Sequence, residues 1–221
     1  MGISRICPLT IGTNIPNVGS GVAKHVLVTF NNNAGVTELG GTVNNFSLTW
    51  SYNRNSDDPT SQTINQGIGA VPVGDRSFAV VGAGLTNDTT YTINAVGDDG
   101  TPSALNTTIQ FSPMIYWGPY DAIISTDVEV LANLSGSEFR ESRPFTKIFD
   151  ASVGSPPNYL YFCFPVSFGA PVQTLFNDFI FNDYTQTTIV GFTNGSGFSQ
   201  DYYLLRTNNQ YSGPNLKWEI Q

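Results

Sequence analysis

The chain has 221 residues, enough for one large β-sandwich or for two domains of about 100 residues each. Charged residues make up only 12% and aromatic residues 13%, a balance typical of strands joined by tight turns and unlike that of helix-rich metabolic enzymes. The formal net charge of −8 argues against sequence-independent nucleic-acid binding and against docking on an anionic membrane, because both depend on clustered Lys and Arg.

The first segment, residues 1–24, shows little periodicity and contains many Gly, Pro and Asn residues. It predicts an extended N-terminal arm, whose few apolar side chains we expect to be buried against another molecule. The segment lacks the long apolar region of a secretory signal, and no run in the chain approaches ~18 consecutive apolar residues. We therefore expect a protein without a membrane-spanning segment that is made in a cytoplasm and exported, if at all, by a route other than its own leader.

Residues 25–112 carry strand signals at short spacing, and the clearest lies in residues 43–52. There, apolar side chains alternate with Asn, Ser and Thr, as in a strand with one buried face. Asp98 and Asp99 followed by Gly100 predict a hairpin turn. This spacing of strands and turns predicts an Ig-like or fibronectin-like β-sandwich. The predicted strands cover residues 25–30, 43–52, 76–81, 89–96 and 105–111.

Residues 113–221 are predicted to form a second β-sandwich, beginning with a strand at residues 114–118. A short helix near residues 126–135 is predicted by a capping box of Thr126 and Glu129. Val128, Leu131 and Leu134 follow at helical spacing, and Gly136 is expected to stop the helix. The sequence thus predicts an all-β chain of two sandwiches in tandem with one short helix. The remaining predicted strands cover residues 145–149, 158–164, 174–181, 187–193, 201–206 and 215–220.

Residues with catalytic or metal-binding chemistry are few and isolated. The one histidine, His25, has no nucleophile motif nearby, and we interpret it as a partly exposed strand residue. A structural zinc site needs about four N or S ligands, more than one His and two Cys supply. Asp178 and Asp183 are candidates for binding calcium or for the two catalytic carboxylates of a glycosidase. On a straight strand, however, their side chains would face opposite sides. We expect no catalytic residues, no metal and no cofactor.

The two cysteines, Cys7 and Cys163, are far apart and belong to different predicted segments. Secreted disulfide scaffolds usually carry several closely spaced pairs, so a bridge between them is disfavoured. Cys163 lies in the apolar run YLYFCF at residues 159–164. We therefore predict that it is a buried free thiol.

Aromatic residues near the C-terminus offer a second kind of site. Phe198, Tyr202, Tyr203 and Tyr211 could stack on the rings of a glycan. Packing is the alternative, because alternate members of such a run must enter the core of a strand-rich domain. An exposed aromatic cluster would indicate a binding face, whereas single exposed residues would not.

Two groups of short sequence motifs resemble modules of tailed-bacteriophage proteins. The first comprises SLTW at residues 47–50, PTSQTINQGIG at 59–69 and TTYTI at 89–93. It resembles Ig-like modules of tail and fibre proteins, in which the motif corresponding to residues 59–69 forms a hairpin. The second comprises YWG at 116–118, YLYFCFP at 159–165, FTNGSG at 192–197 and DYYLLRTNN at 201–209. It is similar to a C-terminal module of the same class, and together the two groups span about residues 36–221.

This resemblance implies a virion protein without catalytic residues, acting in assembly, host-surface adhesion or both as an appendage of the tail, baseplate or fibre. It implies homo-oligomers, other virion proteins as partners through the arm at residues 1–24, and host-surface glycan as a further partner. A capsid decoration or head-fibre protein would contain the same domains. A polysaccharide-degrading tail enzyme is disfavoured by the short chain, which lacks a repetitive stalk and a placed pair of carboxylates.

Overall fold

The computed structural model describes residues 24–54, 58–151 and 157–221. The described chain forms two β-sandwiches in tandem and contains one α-helix, so the predicted all-β fold class is confirmed. Most of the predicted arm, residues 1–23, and Cys7 with it lie outside the described residues. The sequence also offers the adjacent Asp57 and Asp58 as candidate carboxylates, and Asp57 lies outside the described residues as well.

The first sandwich consists of two facing sheets with their apolar side chains between them. One sheet has the order β1-β3-β6, and the other has the order β2-β8-β7-β4-β5. Strand β2 runs parallel to β8, whereas the other pairs are antiparallel. The strands are β1 (Leu27–Asn32), β2 (Val36–Glu38), β3 (Phe46–Tyr52), β4 (Ser61–Ile64), β5 (Gly69–Ala70), β6 (Ser77–Val80), β7 (Thr89–Val96) and β8 (Pro102–Ser112).

The alternation predicted for β3 is confirmed. Phe46, Leu48, Trp50 and Tyr52 are buried, while the residues between them are partly or fully exposed. The buried polar group among them is Gln62 of β4, whose side-chain oxygen accepts hydrogen bonds from Trp50 Nε1 (3.1 Å) and Tyr52 Oη (2.8 Å). These bonds satisfy polar atoms that would otherwise destabilise the core.

Both turn predictions for this sandwich are confirmed. Asp99 Oδ1 accepts a hydrogen bond from the backbone amide of Thr101 (2.9 Å), and Gly100 has a φ of 77° that favours glycine. The hairpin implied by the sequence motif at residues 59–69 is formed by β4 and β5, with Ile64 opposite Gly69.

His25 is buried, so the prediction of a partly exposed strand residue was wrong. It precedes β1, and its side chain has no exposed surface. The ring packs edge-on against Tyr52 at 4.7 Å between centroids. The turn after β7 covers the other side, since a Cβ added at Gly97 would lie 2.9 Å from His25 Cβ. Tertiary packing of this turn, which no local pattern specifies, removes His25 from solvent.

The second sandwich is built from antiparallel strands in two sheets. One sheet has the order β10-β9-β12-β16-β15, and the other has the order β11-β17-β13-β14. A short 3-10 helix, Val166–Phe168, follows β12. The elements are β9 (Met114–Tyr120), α1 (Asp127–Asn133), β10 (Gly136–Phe139), β11 (Phe145–Phe149), β12 (Tyr159–Pro165), β13 (Thr174–Phe176), β14 (Phe179–Ile180), β15 (Tyr184–Thr193), β16 (Ser199–Thr207) and β17 (Leu216–Ile220).

The five-stranded sheet is covered on both faces, which explains the continuous apolar run of β12. Leu160, Phe162 and Phe164 face the four-stranded sheet and its central Trp218. Tyr161 and Cys163 belong to a separate cluster on the other face, which includes residues of α1. A strand buried on both faces needs no polar alternation. Cys163 is the buried free thiol that was predicted, and burial raises its pKa well above the ordinary value.

The capping box predicted for the helix is confirmed. The backbone amide of Glu129 donates to Thr126 Oγ1 (3.3 Å), and the backbone amide of Thr126 donates to Glu129 Oε2 (3.0 Å). The Glu129 carboxylate also accepts a hydrogen bond from the backbone amide of Ser125 (2.8 Å), and the hydrogen bonds to this carboxylate, first of all that one, lower the pKa of Glu129. They satisfy amides that have no partner within the helix itself.

The predicted apolar face of the helix was wrong at two of its three positions. Val128 is 71% exposed and Leu131 is 40% exposed, whereas Val130 and Leu134 are buried. The helix is only 7 residues long and lies across the sheet through Val130. Gly136 is not a helical stop but the first residue of β10.

The strand predicted over residues 174–181 is a hairpin of two short strands, so this prediction was wrong in its middle. Asn177 and Asp178 both have positive φ angles, 48° and 69°, which turn the chain between β13 and β14. Asn and Asp adopt this conformation more readily than other non-glycine residues. Asp178 pairs with Lys217, while Asp183 accepts a hydrogen bond from Asn208, so the two carboxylates have separate partners.

Candidate functional site

Tyr202 lies in the core and presents no face to a glycan. It is 1% exposed and stacks on Phe192 at 4.2 Å between ring centroids. Its hydroxyl donates to the carbonyl oxygen of Met114 (2.9 Å). Burial raises the pKa of this phenol, which stays protonated as the donor.

The other three aromatics lie in different places. Tyr203 points to the opposite face of β16 from Tyr202 and contacts Phe164 at 5.8 Å between ring centroids. Tyr211 packs on Phe176 at 4.9 Å. Phe198 lies in the turn between β15 and β16, beside the first sandwich. The four residues therefore do not form a common surface.

The junction between the two sandwiches brings together residues that are distant in sequence. Strand β8 ends at Ser112 and β9 begins at Met114, with Pro113 between them. Glu38, on β2, accepts hydrogen bonds from Tyr116 Oη (3.0 Å) and from Ser196 Oγ (2.8 Å). One carboxylate of the first sandwich thus binds two elements of the second.

Asn194 makes the reciprocal contact from the second sandwich. It is 5% exposed, and its side-chain amide donates to the carbonyl oxygen of Leu39 (2.8 Å). Its side-chain oxygen accepts from the amides of Ser196 (3.0 Å) and Phe198 (2.9 Å). The same side chain therefore caps its own turn and binds the backbone of the other sandwich.

Gly40 allows the two backbones to approach closely. A Cβ at this position would lie 2.6 Å from Cβ of Phe198, and the φ of Gly40 is +89°. Both the space and the conformation therefore require glycine. Around Pro113, Arg140 N donates to the carbonyl oxygen of Pro113 (3.1 Å), and Gln110 Nε2 donates to Glu141 (3.3 Å). The junction is thus held on two sides.

The electrostatics of the junction favour a neutral phenol beside a carboxylate. Burial, and then the nearby Glu38 carboxylate, raise the pKa of Tyr116 far above its ordinary value. The hydroxyl consequently remains a donor to Glu38. Hydrogen bonds to a charged acceptor are stronger than neutral ones, so this contact is suited to fixing the relative orientation of the sandwiches.

Sequence reasoning missed the junction residues. Glu38 and Ser196 are 158 positions apart, and Asn194 and Leu39 are 155 apart, so no local periodicity connects them. The glycines at positions 40 and 41 were a usable signal, since paired glycines mark turns or close approaches.

Two further features bear on chemistry within the described ranges. No group of three or more His, Cys, Asp and Glu residues there could hold a metal ion. No helix in the described part of the chain is long and apolar enough to span a membrane.

No protein-family model matches the chain, and no curated protein matches it either. The solved structures that resemble the chain include three weak likenesses. A chitinase from Bacillus thuringiensis shares 14% identity over 88% of this chain and 26% of that chain, with a TM-score of 0.26. The eight N-terminal Ig domains of Down Syndrome Cell Adhesion Molecule share 8% identity over 85% of this chain and 23% of that chain, with a TM-score of 0.25.

An alpha-L-rhamnosidase from Dictyoglumus thermophilum shares 10% identity over 87% of this chain and 26% of that chain, with a TM-score of 0.29. The chain spans about a quarter of the length of each of these three structures. At such low TM-scores the likenesses carry no argument about function.

Proposed function

We propose that the chain is a non-enzymatic structural protein of a tailed-phage virion, an appendage module of the tail, baseplate or fibre that acts in assembly, in host-surface adhesion or in both. The proposal starts from the resemblance of residues 36–221 to Ig-like and C-terminal modules of that class. The two tandem sandwiches agree with the fold that this resemblance implies.

The observation that carries the proposal is the junction of the two sandwiches. Domains of one chain usually move relative to each other unless their interface is extensive or specifically bonded. Here the connection is Pro113, and side chains bind across the junction in both directions through Glu38 and Asn194. A pair of domains held in this way transmits force and keeps a fixed reach, as an appendage of a particle requires.

The arm at residues 1–24 is the proposed attachment to the particle. The last residue of the arm is anchored in the first sandwich, since the side-chain amide of Asn53 donates to the carbonyl oxygen of Lys24 (2.5 Å). In this arrangement, adhesion belongs to the part of the molecule that is farthest from the arm. Because Tyr202 is buried, it takes no part in glycan contact, and any such contact involves residues that are exposed.

The proposal is tested by mass spectrometry of gradient-purified particles from a phage that encodes the chain. We expect the protein in the particles at a fixed ratio to the other virion proteins. In a phage carrying a deletion of residues 1–24, we expect the protein to be folded and soluble in the lysate but missing from the particles. Absence of the full-length protein from the particles would overturn the proposal, and normal incorporation of the truncated protein would overturn the attachment role.

A further inference from the structure

The strand β15 forms an unusually long free edge. It has 10 residues, Tyr184–Thr193, and is the edge strand of the five-stranded sheet in the second sandwich. It is hydrogen-bonded to β16 on one side. No other strand in the described ranges pairs with its second side. An edge of this kind exposes a row of backbone N–H and C=O groups that can pair with a further strand.

This edge lacks the features that normally prevent pairing. Its sequence, YTQTTIVGFT, contains no charged residue and no proline. Edge strands usually carry such residues or are very short. The opposite edge of the same sheet follows that rule, because β10 contains Glu138, which pairs with Arg140 (2.5 Å) and Lys147 (2.5 Å). In the facing sheet the edge strand β14 has only 2 residues.

The side chains of this edge suit a paired strand. Thr185, Thr187 and Thr188 are exposed, and Val190 is 79% exposed. Threonine and valine are β-branched, and they are stabilised by cross-strand neighbours on a pleated surface. Exposed residues of this kind on an open edge gain packing when another strand is added.

The open stretch has a defined end. The regular register with β16 runs from Tyr184 to Ile189 and is interrupted by a bulge before Phe192. Beyond it, the amide of Gly191 donates to Asp201 (2.8 Å) and the amide of Thr193 donates to Asp127 (3.1 Å). These amides are occupied, so the pairing segment is confined to residues 184–190.

We propose that this edge binds the same edge of a second copy of the chain, in an antiparallel arrangement that joins two five-stranded sheets into one. The absence of charged residues from this strand favours a second copy as the occupant. In a two-fold symmetric pairing, a charged residue near the axis meets its own copy, and like charges directly opposite are destabilising. A foreign strand would impose no such restriction, because it could carry complementary charges.

The charge of the whole chain restricts where a second copy can bind. The formal net charge is −8, so two copies repel each other in general. They approach with least repulsion along a strand without charges, whichever residue the two-fold axis passes through. The inference goes beyond the proposed function, since a pairing of two copies in solution does not depend on where the protein acts.

The experiment measures the mass of the full-length protein by sedimentation equilibrium at concentrations up to about 100 μM, the range that a modest interface requires. The expected mass of the wild-type species is twice the 23.9 kDa of one chain. Thr188→Lys and Thr188→Glu should each weaken the dimer by roughly tenfold or more, because like charges then oppose each other. An equimolar mixture of the two variants should restore the dimer.

The matched control is Ser77→Lys, which adds the same charge to an exposed position on the edge strand β6 of the other sandwich. It should dimerise like the wild type. A monomeric wild type, unchanged dimerisation of Thr188→Lys, or no association in the mixture of oppositely charged variants would each overturn the proposal. Folding of each variant is checked by circular dichroism, and the mixing result decides even where a single variant is less stable. A monomeric wild type would leave the virion assignment standing.

Discussion

Replacing Glu38 with alanine should weaken the junction between the sandwiches. The substitution removes the acceptor of two hydrogen bonds, from Tyr116 Oη at 3.0 Å and Ser196 Oγ at 2.8 Å. Ser196 is exposed and can bond to water instead. Tyr116 is only 5% exposed, so its hydroxyl loses a partner that water does not easily replace.

The magnitude follows from that burial. Leaving a buried donor without a partner costs about 1–3 kcal/mol, whereas removing both partners together can be nearly neutral. We therefore expect Glu38→Ala to lower the free energy of unfolding by about 1–3 kcal/mol. Adding Tyr116→Phe to this variant should recover part of the loss, because the hydroxyl that needs a partner is gone.

The assay is a double-mutant cycle from urea denaturation, with calorimetry to show whether the two sandwiches unfold together. The matched control is Glu219→Ala, which removes the same charge on β17, away from the junction, and should show no coupling to Tyr116→Phe. Effects of Glu38→Ala and Tyr116→Phe that add within about 0.5 kcal/mol would refute the reasoning, because independent sites behave in that way.

Three further changes test the second sandwich, each by urea denaturation. Gly136→Ala should destabilise by about 1–3 kcal/mol, because the new Cβ would lie 2.3 Å from Cε2 of Trp117; unchanged stability would contradict this packing. Thr126→Ala should cost about 1 kcal/mol through the lost helix cap, and Thr126→Ser should cost less. Partial burial opposes ionisation of Glu138, but the hydrogen bonds from Lys147 and Arg140 outweigh it and lower its pKa below 4.5. Glu138→Gln should therefore be less stable than wild type at pH 7, and the difference should vanish as the pH falls through the lowered pKa; a difference that persists in acid would contradict it.

The sequence predicts well the strands whose own residues decide their structure. The predicted ranges 89–96 and 145–149 coincide with Thr89–Val96 and Phe145–Phe149. In β3 the side chains alternate because one face is buried and the other is not. The capping box also depends on residues only three positions apart, and it was predicted correctly.

The elements that sequence reasoning missed depend on distant partners. Strands β2 and β10 are short and lie at sheet edges, where pairing with β8 and β9 defines them more than their own propensity does. The apolar face of α1 was misassigned because one short helix meets the sheet through Val130 and Leu134 alone. The prediction that His25 is partly exposed was wrong because the turn that follows β7 covers it.

The aromatic residues show the same limit. Tyr202 and Tyr203 were candidates for stacking on a glycan, with packing of alternate residues in the core as the alternative. The sheet is covered on both faces, so Tyr202 enters one cluster and Tyr203 packs against the other. Whether a sheet has a second covering layer depends on where the helix and loop between β9 and β10 fold, which the strand pattern does not reveal.

The most direct test of the virion assignment is electron cryomicroscopy of the intact particle. The account predicts density on the tail, baseplate or fibre into which the two sandwiches fit together as one rigid unit, with the junction at Glu38 and Asn194 unchanged. The same unit on the capsid surface would support a decoration or head-fibre protein instead. A particle whose tail and capsid densities are fully explained by other proteins, with this chain absent, would contradict the central claim.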